Sequence, residues 1–451
     1  MSESVQHPDK NGVGEHPSQE TQPSGTVTRY QSLALLGSSL LAAVSTLVVT
    51  MIAQRALNGS ELTEFLLFWA ALFTVTGIIT GIQPEITRAV GTARTQTVSA
   101  DGSAPQGARV VTVTAALGAI AGALVLVSSP LWAGQQIPHS AAVGVTVMAV
   151  GVFLYALQAT MSGVTAGEDR WYLFAAVGGL ESAGRLILML AAALMIPSLA
   201  GLEVATVAPM GLWLILALVT VSGRRLWIAR ADVPARRLTT NILWSFLSSA
   251  AAAVLMMGFP NVLKASGAAE SEPVVLGTLI LAISITRSPI MIPLQAFQGV
   301  AVSAFLKQRH RPVAAFIKPA AAVVAVGAVG ALAAYLVGPL LFRLIYPPAA
   351  GAESAYEAAA SGITLGALVF ASALLALMTL SGNMALAVNQ HRIYLAGWVV
   401  AAAVTLSLAF LVPAPLVPRA IVALAVGPVC GFVVHMVGVS LASRTEEARA
   451  E

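Results

Sequence analysis

A regular series of long apolar runs constrains this chain more than any other feature. A bilayer core of about 30 Å requires about 20 residues of α-helix per crossing, and twelve runs of that length stand between polar, proline or glycine breaks. Their approximate bounds are 31–53, 65–87, 110–132, 141–163, 172–195, 204–222, 240–263, 275–299, 319–342, 358–385, 393–413 and 420–442. The sequence therefore predicts an all-α membrane protein with about twelve transmembrane helices.

The charge content excludes a water-soluble fold. Only 10% of the 451 residues are charged and 57% are hydrophobic, whereas soluble domains carry roughly 25% charged residues. Membrane proteins acquire a basic excess from topology alone, so the net charge of +4 does not predict a nucleic-acid partner. The single cysteine, Cys430, excludes an intramolecular disulfide and a multi-cysteine metal site.

The positions of lysine and arginine predict the orientation. With the N-terminus inside, 18 of the 24 basic residues fall on the cytoplasmic side and four on the outside, while Arg185 and Arg287 fall within predicted helices. This bias predicts that both termini are cytoplasmic. Residues 1–29 lack the order of a signal peptide and are predicted to be a disordered tail, with a second short tail at 444–451.

The largest basic loop divides the chain into two groups of six helices. Five arginines between Arg224 and Arg237 follow the sixth run. The predicted units are an N-lobe at 30–222, a basic cytoplasmic linker at 223–238 and a C-lobe at 239–443. Each half opens with a basic residue and a helix of small residues, which favours a duplication, although membrane composition alone also produces such likeness. Transporters built from two such halves bind their substrate at the interface.

Arg287 is a charged residue well inside the eighth run. Pro289 and Pro293 follow it, and prolines remove backbone donors, so we expect this helix to kink or unwind beside the arginine. A planar guanidinium beside irregular backbone suits an anionic oxygen such as that of a phosphate. The alternative is that Arg287 reaches the cytoplasmic interface or binds a lipid headgroup.

Further polar residues are candidates for the lining of a transport path. Glu181 and Arg185 are four residues apart, hence on one helical face, and form either a structural ion pair or a cavity-lining, proton-coupled pair. Arg88 follows Glu85 at the cytoplasmic end of the second run and is either a cavity residue or a topology signal. The amide side chains proposed for a saccharide path are those of Gln83, Asn261, Gln295 and Gln298. Each also suits an interhelical hydrogen bond.

Enzyme signatures are missing from the sequence. It contains no His/Glu metal-ligand pair at helical spacing, no phosphate-binding Gly-Lys loop and no nucleophile elbow. We therefore expect neither catalysis nor a bound cofactor or metal. A membrane-embedded glycan enzyme remains a minor alternative, since every predicted outer loop is short.

Three stretches carry a resemblance to a known family. They are SLALLGSSLLAAVSTLVVTMIAQRALNGSELTEFLLFWAALF in the first two runs, GIQPEITRAV at the end of the second, and TRSPIMIPLQAFQGVAVSAF in the eighth. In these stretches, in helix number and in the two halves, residues 29–443 resemble the polysaccharide flippases of the multidrug, oligosaccharidyl-lipid and polysaccharide exporter superfamily.

The resemblance implies two six-helix lobes around a central cavity that opens alternately to each side of the bacterial cytoplasmic membrane. Such flippases move polyprenyl-pyrophosphate-linked saccharides outward and work with glycosyltransferases and a polysaccharide polymerase. In the similar lipid II flippases, arginines of helices one, two and eight face the diphosphate. Arg88 and Arg287 match the latter two, whereas the first run has no internal arginine.

The same superfamily contains cation-coupled multidrug antiporters, which stay open as an alternative. Those relatives often carry an acidic residue in helix one, and residues 31–53 contain none. This departure favours a lipid-linked glycan over a cationic drug. Glu181 keeps the antiporter alternative open.

Overall fold

Twelve helices form almost the whole of the described protein. The computed structural model describes residues 28–99, 107–267, 273–296, 305, 312–348, 351–388 and 390–450. Within these residues, twelve helices are long and apolar enough to cross a membrane, which confirms the predicted number. Numbered α1 to α12 in chain order, they span Arg29–Ala56, Gly59–Gln96, Val110–Leu131, Ala141–Gly167, Trp171–Met195, Leu199–Val219, Ala235–Ala265, Pro273–Met291, Pro312–Ile345, Gly362–Ala387, His391–Leu411 and Leu416–Ala442. The protein is a multi-pass membrane protein.

Several helices extend beyond the apolar runs that predicted them. The helix α1 begins at Arg29, where Thr28 and Gln31 form a capping box. The helix α2 begins at Gly59 rather than at 65, with the Asn58 side chain accepting a hydrogen bond from the Glu61 amide. Most of the predicted first tail, residues 1–27, lies outside the described residues, and the last helix continues to Ala450.

The helices pack into two lobes, as predicted. In the N-lobe, α1 packs against α5, and α4 packs against α2 and α3. In the C-lobe, α10 packs against α8, α9 and α12, and α11 packs against α12. The lobes meet where α2 contacts α7 and α8, and where α1 contacts α8. The first two helices of each half therefore form the interface between the lobes.

Small residues bring α2 and α7 close together at this interface. A Cβ atom at Gly81 would lie 2.8 Å from the carbonyl carbon of Ser245, so the two backbones are in contact there. One turn along, a Cβ at Gly77 would lie 3.0 Å from the Cβ of Ala253. Glycine and alanine permit such approach between membrane helices.

The linker between the lobes is packed rather than free. The Ala231 amide donates to the Ala108 carbonyl at 2.9 Å, and the Ala108 amide donates to the Val233 carbonyl at 3.0 Å. These bonds hold the linker against the segment that precedes α3. The helix α7 then begins at Ala235, inside the predicted linker.

The eighth helix was predicted to kink or unwind beside Arg287, and it does not unwind there. The helix continues beyond the apolar span that ends at Met291, to Ala296, and it includes Pro289 and Pro293. Membrane helices accommodate proline when neighbouring groups satisfy the freed backbone atoms. The irregular backbone lies in α7 instead, where Val254–Gly258 form a π-helical turn. π-Helical turns are frequent at functional sites.

Candidate substrate cavity between the lobes

A cavity of about 440 Å³ lies between the two lobes. Its walls come from α1, α2, α7 and α8, the helices through which the lobes meet. Residues that face it include Thr46, Thr50, Trp69, Met256, Ser284 and Arg287. A cavity of this size is typical of a small-molecule binding site, so it is the candidate functional site of the described residues.

Arg287 is the charged residue of this cavity. Among the described residues that line it, no other is an arginine, lysine, aspartate or glutamate. The Nη1 atom of Arg287 donates to the Met256 carbonyl at 2.5 Å, and its Nε is buried without a hydrogen-bond partner in the described part of the chain. No carboxylate of the described residues forms an ion pair with it. The cavity therefore carries an uncompensated positive charge, which an anionic ligand would balance.

The sequence explains why the Met256 carbonyl can accept a hydrogen bond from Arg287. In a regular α-helix this carbonyl would accept from the amide of residue 260, but residue 260 is a proline and has no N–H. Pro260 therefore withholds the usual α-helical donor, and the Met256 carbonyl accepts from Arg287. Sequence reasoning missed this partner, although Pro260 inside the seventh run was a visible signal.

Hydroxyl groups of α1 and α8 form the polar part of the wall. Thr46 donates to the Ala42 carbonyl at 3.0 Å, and Ser284 donates to the Ile280 carbonyl at 2.9 Å. Their hydrogens are used within the helices, so each oxygen presents lone pairs to the cavity. These residues were not predicted as site residues, although the first run is visibly rich in serine and threonine.

The predicted pair of Glu181 and Arg185 is present but lies inside the N-lobe, behind the cavity wall. The two side chains form an ion pair, and Gln158 Nε2 donates to Glu181 at 2.5 Å. The guanidinium carbon of Arg185 lies 5.8 Å from the ring centre of Trp69 and 5.1 Å from that of Phe73. Because Trp69 itself faces the cavity, one indole ring separates the pair from it.

Arg88 is placed apart from Arg287. Its Nη1 lies 2.9 Å from Asp232 of the linker and its Nη2 lies 2.7 Å from Glu85, whose carboxylate also accepts from Asn241 at 2.8 Å. Arg88 is not among the residues that line the cavity. Two carboxylates balance its charge, and the cluster joins the end of α2 to the linker and α7.

The described amide side chains that were predicted to line a saccharide path do not lie together. Asn261 donates to the Leu67 carbonyl at 3.2 Å, and its Oδ1 is buried without a partner in the described part of the chain. Gln83 is half-buried in the second half of α2. The side chain of Gln295 and the whole of Gln298 lie outside the described residues. None of these described amides lines the cavity.

Direct contacts join the lobes at the end of the bundle that the charge distribution predicts to be outside. Thr50 and Tyr346 lie 2.8 Å apart, Gln54 donates to the Pro347 carbonyl, and Thr63 donates to the Pro273 carbonyl at 2.9 Å. We call these three the outer contacts. The part of α1 from Arg29 to Thr46 has no hydrogen bond to any described residue of the C-lobe. The lobes are thus joined by hydrogen bonds on the side of the cavity that is predicted to be outside.

Comparisons with solved structures identify the fold. The chain superimposes on an inward-facing multidrug resistance MATE family transporter of the MOP superfamily with a TM-score of 0.67, at 14% identity over 92% of this chain and 99% of that one. It also superimposes on a MOP superfamily transporter from Pyrococcus furiosus, described as having a binding pocket of reversed polarity, with a TM-score of 0.61, at 15% identity over 91% and 95% of the two chains. The twelve-helix, two-lobe fold is therefore the fold of MOP superfamily transporters.

Sequence relatives come from mycobacteria. No protein-family profile matches the chain. It is 32% identical to the Mycobacterium tuberculosis protein Rv1510 over 92% of both chains, and 34% identical to Rv3630 of the same species over 94% of this chain and 95% of that protein. Identity at this level over nearly the whole length shows common ancestry, and the chain belongs to the family of Rv1510 and Rv3630.

Proposed function

We propose that this protein is a flippase of the bacterial cytoplasmic membrane. It moves a polyprenyl-pyrophosphate-linked saccharide from the inner to the outer leaflet by alternating access. The observation that carries the proposal is the uncompensated guanidinium of Arg287 in a cavity between the lobes. The saccharide would be built by glycosyltransferases and consumed by a polysaccharide polymerase.

The charge of the cavity selects for an anion. A cationic drug would need a carboxylate in the wall, and the described lining contains none. A diphosphate matches the planar donors of an arginine, and it would replace the solvation that Arg287 loses inside the membrane. The contact with the Met256 carbonyl fixes the guanidinium in place, and no carboxylate of the described residues pairs with it.

The size of the cavity favours a substrate whose lipid remains in the bilayer. A volume of about 440 Å³ accommodates a polar headgroup but not a long polyprenyl chain. The hydroxyls of Thr46 and Ser284 suit a saccharide, whereas the lipid chain needs an opening to the membrane. The inner half of α1, which is not hydrogen-bonded to the described C-lobe, is where such an opening would form.

A reconstitution experiment tests this function. In vesicles containing the protein alone, a labelled polyprenyl-pyrophosphate saccharide should become accessible on the opposite leaflet without a change in its mass. Arg287→Ala should abolish this exposure, and Arg287→Lys should reduce it strongly because lysine lacks the planar fork. Arg343→Ala, which removes an exposed arginine of α9, is the matched control and should transport normally. Normal transport by Arg287→Ala at equal protein level would reject the proposal.

A cation-coupled multidrug antiporter is the second candidate. The likeness to a MATE transporter and the partly buried Glu181 inside the N-lobe favour it. An antiporter would export cationic dyes from vesicles and lose that export on Glu181→Gln, whereas a flippase would not respond to the dyes. Chemical conversion of the lipid-linked saccharide would instead indicate an enzyme.

A further inference from the structure

Two buried glutamates meet in the N-lobe, away from the central cavity. Glu64 lies in the second turn of α2 and Glu203 lies in α6, and their exposed fractions are 4% and 0%. Ser140, directly before α4, stands between them and is also buried. All three lie at the end of the bundle that is predicted to be outside.

The hydrogen bonds around Glu64 are those of an ionised carboxylate. Its Oε1 accepts from the backbone amides of His139 at 2.9 Å and Ser140 at 2.8 Å, and its Oε2 lies 2.7 Å from His139 Nδ1. Several donors on one carboxylate stabilise its negative charge. His139 is largely exposed at the surface, so it connects Glu64 with the solvent.

The bonds around Glu203 are different. Its Oε1 lies 2.6 Å from the Ser140 hydroxyl, and its Oε2 is buried with no hydrogen-bond partner among the described residues. A fully buried, ionised carboxylate oxygen without a donor is costly. A neutral carboxyl group does not incur that cost.

The Ser140 hydroxyl leads to the same assignment. It lies 3.1 Å from Glu64 Oε1 and 2.6 Å from Glu203 Oε1, but a hydroxyl has one hydrogen to donate. If both glutamates were ionised, the Ser140 hydroxyl could donate to only one of them. The other contact would then bring two oxygen acceptors together with no hydrogen between them. If Glu203 carries a proton, it donates to Ser140, and Ser140 donates to Glu64.

The other charged groups of the surrounding helices do not alter this balance. The helix α6, which carries Glu203, packs against α2, α4 and α5. On α5 the ionisable pair is Glu181 and Arg185, which is internally neutral and lies on the inner side of the contact between Thr206 and Met189. No group of three or more described His, Cys, Asp or Glu residues is placed to hold a metal ion.

We propose that Glu64, Ser140 and Glu203 form a proton-binding site, in which Glu203 holds the proton and His139 connects the site to the outside. The site adjoins an outer contact, because Thr63, which donates to the Pro273 carbonyl of the C-lobe, directly precedes Glu64. Loss of the proton would place two negative charges in one pocket. If the protein is a transporter, as proposed above, their repulsion would displace the outer end of α2 and weaken the contact between Thr63 and Pro273.

The proton itself is observable without any transported substrate. Infrared spectra of the purified protein at neutral pH should show the carbonyl band of a protonated carboxyl group, and Glu203→Gln should remove it. Ser140→Ala should shift the band, since the carboxyl loses its partner. Glu353→Gln, an exposed glutamate at the same end, is the matched control and should leave the band unchanged. A band that survives Glu203→Gln or does not respond to Ser140→Ala would overturn the assignment.

Thermal unfolding in detergent gives an independent measurement. Glutamine imitates a protonated glutamate, so Glu203→Gln should match the wild-type melting temperature below about pH 4, where the glutamate is protonated in the unfolded chain as well. At neutral pH Glu64→Gln should lower the melting temperature. As the pH rises, the wild type should lose stability while Glu203→Gln does not. If the wild type and Glu203→Gln lost stability equally as the pH rises, a proton on Glu203 would be rejected. A proton would also be rejected as the ligand if sodium, compared with choline, stabilised the wild type and Glu203→Gln abolished this effect. These results do not depend on which substrate is transported.

Discussion

Thr50 of α1 and Tyr346, which directly follows α9, share a hydrogen bond of 2.8 Å that joins the N-lobe to the C-lobe. The Thr50 hydroxyl also donates to the Leu47 carbonyl at 2.8 Å, so its single hydrogen is used within α1. The Tyr346 hydroxyl is therefore the donor between the lobes. Tyr346 is fully buried, and burial raises the pKa of its hydroxyl above the usual value, which keeps this donor protonated.

Tyr346→Phe should shift the protein towards a state that is open to the outside. The substitution removes the donor but leaves the Thr50 hydroxyl its bond to Leu47, and one such bond contributes about 1 kcal/mol, or roughly a fivefold change in the ratio of the two states. Distances between spin labels at Gly134→Cys and Glu353→Cys, in a Cys430→Ala background, would report the separation of the lobes. Tyr335→Phe, on an exposed face of α9, is the control. Identical distance distributions in the wild type and Tyr346→Phe would refute the role of this bond.

Pro260→Ala should reduce transport while leaving stability equal or higher. Alanine restores the N–H that pairs with the Met256 carbonyl in an α-helix and has a higher helix propensity than proline. Arg287 would then lose the carbonyl that positions it. The prediction is checked by comparing saccharide exposure in vesicles with the melting temperature of the same preparation. Unchanged transport would mean that the π-helical turn does not serve Arg287.

The features that the sequence predicted are local ones. Helix number follows from the length of apolar runs, and the ion pair of Glu181 and Arg185 follows from a spacing of four residues. The partners of Arg88 and Arg287 were not predictable in this way, since Asp232 lies 144 residues from Arg88 and Met256 lies on a different helix from Arg287. Such pairs depend on how helices are brought together.

The pair of Glu64 and Glu203 was missed for a more specific reason. The predicted runs began at 65 and 204, one residue after each glutamate. A helix predicted from hydropathy starts only after the charged residue that precedes the apolar run. The structure begins these helices at Gly59 and Leu199. Both carboxylates therefore lie inside helices and are buried. A charged residue in a loop needs no functional explanation, whereas a buried carboxylate in a membrane helix does.

Arg185→Ala should destabilise the N-lobe, whereas replacing both members of the pair should not. The single variant leaves Glu181 buried with Gln158 as its remaining partner, and breaking a buried ion pair costs about 3–5 kcal/mol. The double variant Glu181→Leu/Arg185→Leu removes both charges and should recover most of the melting temperature. If the pair is structural, the double variant also transports. A stable double variant without transport would assign the pair to coupling instead.

Gly81→Ala should hinder the close approach of α2 and α7. The added Cβ would lie 2.8 Å from the Ser245 carbonyl carbon, which belongs to the backbone and cannot rotate away. Overpacking of this kind typically costs about 1–3 kcal/mol, and here it acts on the interface along which the lobes meet. We expect a lower melting temperature and a wider separation of the labels at Gly134→Cys and Glu353→Cys. Gly37→Ala is the matched control, because a Cβ at Gly37 meets no atom within 4 Å and alanine favours a helix over glycine by about 1 kcal/mol. Equal melting temperatures for the two variants would show that α2 and α7 can separate at Gly81 without cost.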